Sequence, residues 1–278
     1  MLKRRVDLLK HYLSGRRNGV GIVDALANIL GPTSYYKAKK YISNIVDYDN
    51  YFRAFYFKDY DKPLFVAKKL GVDFMNQMVS ELFRPQEWHY YETPETTVRS
   101  NDYCLDAGAA EGLFTYLVAD RCAQVYAVEP LPDFVIGLQK TFANNGNVEI
   151  LSVALSDKPG ELYLSPGGIC TTVAEEVTNG NQKVEVKTVD QIILEKNRRL
   201  TYLKADLEGY ERKMIHGAKN SLIKYRPRIA ITTYHNKDDH KYLADFLQSL
   251  NLGYNIKFKG VEERYGQPVM LHAWTQES

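Results

Sequence analysis

The stretch Tyr103-Cys-Leu-Asp106-Ala-Gly108-Ala-Ala-Glu111-Gly112-Leu-Phe114 decides the fold. Its first five residues read as a buried strand, the chain turns on Gly108, and a helix opens near Gly112. A strand that feeds a helix through a glycine turn leaves backbone N–H groups free at the carboxyl edge of a sheet. Doubly wound folds bind their ligands at that edge. Without a Cβ, Gly108 lets a ligand approach the backbone closely, and Gly112 helps the helix pack tightly on its strand. The spacing is D-x-G-x-x-x-G, with Ala110 and Leu113 where the dinucleotide pattern G-x-G-x-x-G has its later glycines. This disfavours a pyrophosphate cradle, and no G-K-[ST] phosphate loop is present.

Downstream, β-rich runs alternate with helical ones. Strands are expected at 103–107, 125–128, 148–151, 202–205, 229–233, 254–258 and 269–274, with helices at 113–120, 133–143, 189–195, 210–219 and 239–250. Such alternation indicates right-handed βαβ units and a mainly parallel sheet, so the class is α/β. Strict alternation breaks between 156 and 188. There 160–165 and 183–187 read as paired extra strands around a Gly-, Ser- and Thr-rich stretch, 165–182, that is either a substrate lid or a plain surface loop.

Upstream, apolar residues recur at helical spacing: Val6, Leu9, Leu13, then Ile22, Ala25, Leu26, Ile29, then Phe65, Val66, Leu70, and Phe74, Met78, Leu82. Gly31-Pro32 stops one of these helices. Two regions are therefore expected: a helical part over 1–84, serving as a cap or for homo-oligomerisation, and a chemistry-bearing part over 85–278.

The 278 residues are 45% hydrophobic and 25% charged, which excludes collagen-like, low-complexity and wholly disordered classes. The longest weakly charged stretch, Gly19–Leu30, contains Asp24 and falls short of the roughly 20 apolar residues of a membrane helix, so no span is expected. Asp7, Lys10 and His11 interrupt any signal-peptide apolar region. Cys104, Cys122 and Cys170 form no CxxC or Cys/His ligand set, and a reducing cytoplasm fits best. The net charge of +2 conceals a basic start: through Lys40, nine Lys or Arg face only Asp7 and Asp24, about +7. That end could meet an anionic surface or nucleic acid, although a basic helix face is more often simply solvated.

The second strand ends at Glu129-Pro130, where an acid is placed to accept hydrogen bonds from both ribose hydroxyls of a nucleoside. The third ends Leu151-Ser152-Val-Ala154, small or polar groups suited to border an adenine ring. These stretches, with Val153-Ala-Leu-Ser-Asp157 and Gly160, Val186–Asp190, Leu203-Lys-Ala-Asp206-Leu-Glu208-Gly209-Tyr-Glu211, Gly217-Ala218, Arg226-Pro227 and Tyr234-His235, resemble the FkbM family of class I S-adenosylmethionine-dependent methyltransferases. The resemblance spans 87–274, and the Asp206-Leu-Glu208-Gly209-x-Glu211 box makes it specific.

The resemblance implies a Rossmann-like, seven-stranded, mainly parallel sheet of order 3-2-1-4-5-7-6, with an antiparallel seventh strand at 269–274. It implies S-adenosylmethionine as cofactor, bordered by Asp106, Gly108, Ala109, Glu111, Gly112, Phe114, Glu129, Pro130, Ser152, Ala154 and Asp206. The implied acceptor is a small molecule with a hydroxyl, on a sugar, polyketide or related metabolite. Cys170-Thr-Thr172 stands where many relatives have a Gly-Ser-Ser-like turn, and the first 80-odd residues are not covered, so relatives' substrates do not transfer.

Methyl transfer from a sulfonium is an in-line displacement that needs positioning and removal of a hydroxyl proton. Asp206 and Glu208 follow the fourth strand and His235 ends the fifth, so the three could converge. A neutral imidazole with a pKa near 6.5 makes His235 the preferred base. Alternatively, Asp206, Glu208 and His235 could hold a divalent metal that lowers the hydroxyl's pKa. Glu211 reads equally as charge complementarity at a helix N-terminus. His216 reads as a packing or surface residue of the helix that starts near Tyr210, His11, His89, His240 and His272 lack partners in sequence, and Tyr90, Tyr91 and Glu92 lie where a chain could cross the site's mouth.

Three rival readings remain. A nicotinamide-dependent oxidoreductase would also use Glu129, but lacks its glycines. A nucleic-acid methyltransferase is disfavoured because neither a Pro-Pro-aromatic tetrapeptide nor a Pro-Cys nucleophile occurs. The third is a non-catalytic binding module that retains the fold.

Overall fold

The computed structural model describes residues 2–164, 173–174 and 182–276. It opens with helices α1 (Leu2–Leu13), α2 (Ile22–Leu30) and α3 (Ser34–Ala38). Leu8 and Tyr12 of α1 and Ala25 and Ile29 of α2 bury against Trp88 and Val261 of the later chain.

The all-helical expectation for the first 84 residues then fails. Strands β1 (Ile42–Asp47), β2 (Phe52–Phe57) and β3 (Leu64–Ala67) form an antiparallel sheet in the order β1-β2-β3, followed by α4 (Gly71–Leu82). Phe52-Arg-Ala-Phe-Tyr-Phe57 is aromatic-rich, with Phe52 and Ala54 buried and Arg53 half-buried between them, a pattern that suits a pleated surface better than a helix. The Asp49 carboxylate closes the hairpin by accepting from the N–H groups of Tyr51 and Phe52, both at 2.7 Å. Phe65 and Val66 lie in a four-residue strand, too short for periodicity to separate strand from helix. Phe55, Phe57, Leu64 and Val66 share one apolar core with Met75 and Val79 and with Leu113 and Leu138, so packing is continuous across residue 84.

The α/β part runs β4 (Tyr103–Ala107), α5 (Leu113–Val118), β5 (Gln124–Val128), α6 (Pro132–Phe142) and β6 (Val148–Leu151). A smaller sheet follows, from β7 (Ala154–Leu155), β8 (Gly160–Leu164), β9 (Val173–Ala174) and β10 (Gln182–Lys187). β8 and β10 pair antiparallel, with Leu164 opposite Gln182. The lid-or-loop stretch between them, with Cys170-Thr-Thr172, lies outside the described residues except for β9 and Gln182. The chain then gives α7 (Val189–Lys196), β11 (Tyr202–Ala205), α8 (Glu211–His216), α9 (Lys219–Tyr225), β12 (Arg228–Thr232), α10 (Asp239–Ser249), β13 (Asn255–Lys259) and β14 (Met270–Trp274). The single helix expected over 210–219 ends at His216. A new one starts at Lys219 because the Asp190 carboxylate accepts the N–H groups of Asn220 and Ser221.

The large sheet has seven strands in the order β13-β14-β12-β11-β4-β5-β6. All neighbours are parallel except β14, which is antiparallel to both of its own. From β4 the chain winds outward to β5 and β6, then returns to β11 on the other side of β4. The carboxyl ends of β4 and β11 therefore flank a topological switch point, the usual crevice of such sheets. Alternation sends Cys104 to one core and Leu105 and Ala107 to the other. Among the described residues, no helix is long and apolar enough to cross a membrane.

Candidate active site

The turn after β4 adopts left-handed backbone at Gly108 (φ +75°), Ala110 (+47°) and Gly112 (+88°). What approaches Gly108 is the chain itself: a Cβ there would lie 1.9 Å from the Asp206 carbonyl oxygen. A Cβ on Gly112 would lie 2.4 Å from Leu138 Cδ2, so that glycine admits α6. The two loops of the switch point thus touch backbone to backbone, which only glycine allows.

Asp106 is fully buried. Its Oδ2 accepts from Thr115 Oγ1 at 2.7 Å, and its Oδ1 lies 2.8 Å from Lys204 Nζ, in line of charge but not of a hydrogen bond. Lys204 Nζ also donates to the Gly108 carbonyl at 2.6 Å and sits 5.0 Å from the centre of the Tyr91 ring. Burial opposes the ammonium charge, yet Asp106 and Asp206 outweigh it and hold the Lys204 pKa above its ordinary value. Asp106 and Lys204 therefore clamp β4 to β11.

Glu129 accepts from Ala110 N through Oε2 and from Leu131 N through Oε1, both at 2.9 Å. Burial pushes its pKa up to about 7, and does the same to Glu111. Ala109 is buried beside them, Pro130 is half-buried, and Ser152 is exposed at the end of β6. Ala154 is buried in the small sheet among Leu164, Val184 and Val186. Phe114 packs edge-on to Tyr91 and stacks on Tyr202.

These two carboxyls bind protons more tightly in the folded chain than their ordinary value of 4.5 allows unfolded. Their burial therefore destabilises the fold increasingly as pH rises from about 4.5 through 7. Glu111→Gln is expected to stabilise the protein near pH 8 by on the order of 2 kcal/mol and to change little near pH 4.5. Urea unfolding at the two pH values checks this, and equal shifts at both would remove the ionisation argument.

Asp206, Glu208 and His235 do converge. Glu208 (φ +50°) and Gly209 (φ +102°) form a strained turn. Buried Glu211 holds it, accepting from Leu207 N at 2.8 Å and Gly209 N at 3.0 Å. The same carboxylate accepts from Thr232 Oγ1 at 3.3 Å and contacts His235 Nδ1 at 2.9 Å. Its role thus goes beyond charge at a helix end. The His235 side chain is 9% exposed, with Nε2 3.5 Å from both Asp206 Oδ1 and Glu208 Oε2 and without a hydrogen-bond partner.

Tyr91 OH donates to Asp206 Oδ2 at 2.7 Å. His89 Nε2 lies 3.5 Å from that oxygen and 3.1 Å from Tyr234 OH. Asp206 thus stands between two imidazoles. Burial alone raises its pKa, but His89, His235, Lys204 and the Tyr91 hydroxyl outweigh this and hold it below the ordinary value. For His235, burial opposes the charge, but the Glu211 hydrogen bond and the Asp206, Glu211 and Glu208 charges push it up to about 9. The expectation of a neutral imidazole near 6.5 is corrected: three carboxylates stabilise the imidazolium.

Three groups escaped the sequence reading. Lys204 is two residues before Asp206 on one strand face, and Tyr234 adjoins His235, so both carried a local signal. His89 comes from the segment before β4, where nothing local ties it to Asp206, whereas its neighbour Tyr91, expected near the mouth of the site, does reach Asp206. Among the described residues, Asp206, Glu211 and His235 each present one potential metal-ligand atom, all within 4.8 Å of one another, with Glu211 in place of the expected Glu208.

Residues 106–256, more than half of the chain, match the methyltransferase FkbM domain model, and the chain belongs to this methyltransferase family. The crystal structure of methyltransferase FkbM from Methylobacillus flagellatus KT is similar over 74% of this chain and 56% of that one, with 18% identity and a TM-score of 0.51. The chain thus spans little more than half the length of that relative, and the likeness is one of fold. SMU.1697c from Streptococcus mutans, solved with SAH, aligns over 64% of this chain and 90% of that one at 12% identity and TM-score 0.42. Precorrin-6y C5,15-methyltransferase from Geobacter metallireducens GS-15 aligns over 76% and 93% at 14% identity and TM-score 0.40. No curated protein matches the chain.

Proposed function

We propose that the protein uses S-adenosylmethionine to methylate a hydroxyl on a small metabolite, sugar- or polyketide-like, with His235 accepting the hydroxyl proton. The observation that carries this reading is the position of the Asp206–His235–Glu211 cluster against the glycine turn at the switch point. The residues suit the cofactor. Each Glu129 oxygen has one backbone N–H bond and keeps acceptor capacity for a ribose hydroxyl. The acidic edge of Asp206 and Glu208 suits a sulfonium cation. When bound, the cofactor supplies an electrophilic methyl group.

The chain's own tasks are orientation and proton handling. Glu211 fixes the His235 ring through Nδ1 and so turns Nε2, which has no hydrogen-bond partner, towards Asp206 and Glu208. Tyr91 and His89 hold the Asp206 carboxylate on its other oxygen. Because His235 is an imidazolium below about 9, a base role requires kcat/KM to rise with pH from neutrality towards that value. A profile flat between pH 6.5 and 9 would count against the assignment.

Titration calorimetry with S-adenosylhomocysteine and with NAD tests the cofactor class, and binding of NAD alone would overturn the reading in favour of an oxidoreductase. Above pH 7, where Glu129 is ionised, Glu129→Ala is expected to weaken S-adenosylhomocysteine binding by roughly 1.5–3 kcal/mol, the scale of lost charged hydrogen bonds. An unchanged affinity would remove its ribose role.

A second reading, favoured by the 4.8 Å grouping of Asp206, Glu211 and His235, is a divalent cation that acidifies the acceptor hydroxyl. Turnover that survives dialysis against EDTA, with no gain on adding Mg2+ or Mn2+, would eliminate it.

A further inference from the structure

The first two helices carry apolar stripes that the fold leaves bare. In α1, Leu8 and Tyr12 face the core, whereas Val6, Leu9 and Leu13, spaced i, i+3, i+7, are exposed at 42%, 42% and 74%. In α2, Ala25 and Ile29 face the core, whereas Val23, Leu26 and Leu30, at the same spacing, are exposed at 75%, 46% and 66%. Ile22, Tyr35 and Tyr36 add to them. Nine of the 17 large apolar side chains exposed among the described residues thus fall within residues 6–36, a concentration that marks a contact surface.

The charge of this region identifies the partner. Residues 1–40 carry about +7, and the remaining chain about −5. Lys3, Lys10, Arg17, Lys39 and Lys40 are exposed, Lys10 with Asp7 at 3.9 Å, while Arg4 and Lys37 pair with Glu263 and Glu87. On the α1 wheel, Lys3 and Lys10 border one edge of the bare stripe. Apolar side chains edged by cations are the composition of a helix that lies in a lipid interface. Two copies of such a surface repel each other, which disfavours self-association through it.

We propose that α1 and α2 dock the protein peripherally on an anionic lipid bilayer. Val6, Leu9, Leu13, Val23, Leu26 and Leu30 enter the interface and the exposed lysines meet the headgroups, while the acidic remainder of the molecule is held away. This inference stands independently of the methyl-transfer reading.

Sedimentation of the full chain with phosphatidylcholine vesicles, with and without an equal part of phosphatidylglycerol, tests it. Binding to the anionic vesicles is expected at low salt, weakened at least about tenfold without phosphatidylglycerol or at high salt. Leu13→Ser with Leu26→Ser, both at exposed positions, should lose binding and keep the wild-type melting temperature, and Lys3→Glu with Lys10→Glu should act alike. Three results would each overturn the proposal: no pelleting with anionic vesicles, pelleting indifferent to both double variants, or a dimer, or an oligonucleotide complex, that the variants abolish while vesicles are ignored.

Discussion

Lys204→Met is expected to destabilise the protein by about 3–5 kcal/mol, the range for removing one partner of a buried ion pair. The Lys204 side chain is 4% exposed and Asp106 is wholly enclosed, so the substitution strands a carboxylate that keeps only its Thr115 hydrogen bond. It also leaves the Gly108 carbonyl without its side-chain donor and removes one of the links between the β4 turn and β11. Methionine nearly preserves volume, which confines the loss to charge and hydrogen bonding. In urea unfolding, Asp106→Asn combined with Lys204→Met should recover part of the loss, because no lone buried charge remains. A single-variant loss under about 1 kcal/mol would show that water solvates the pair and that the clamp is not structural.

His235→Ala is expected to lower kcat by about 10²–10⁴-fold, the usual contribution of a positioned acid or base, with S-adenosylhomocysteine affinity nearly unchanged. The ring also stabilises the cluster electrostatically. Its folded pKa of about 9 exceeds the ordinary 6.5, so its stabilisation is complete below about 6.5 and fades as pH rises through 9. The variant should therefore lose both the rising limb of kcat/KM and this decline in stability. Glu211→Gln should keep part of the turnover while shifting the limb to lower pH, because it removes one of the charges that hold the proton on His235. A wild-type rate in His235→Ala would dismiss the residue as base or ligand.

The α/β core was legible because strands such as 103–107 and 202–205 are short runs bounded by turn residues that alternate with helix-length segments, an order that can be read without knowledge of neighbours. The β1–β3 sheet was not. The aromatic run of β2 leans towards a pleated surface, but runs this short fix no period, and the strands are settled by hydrogen bonds between them and by packing against α4 and α6. Glycine positions were likewise visible, but their reasons were not. That Gly108 meets the Asp206 carbonyl follows from β4 and β11 being neighbours, although 98 residues separate Gly108 from Asp206 in the chain.

Sequence alone determined the class of this protein: the alternation of elements, the acids at strand ends and the Asp206–Glu211 box depend on residues close together in the chain. Tertiary structure alone decided which groups stand around Asp206 and in what charge state. Tyr91 reaches Asp206 across 115 positions, and His235 becomes a strong proton holder only when burial and three carboxylates surround it. Local sequence encodes dihedral preference and periodicity, whereas proximity and dielectric exist only once the sheet has brought distant strands side by side.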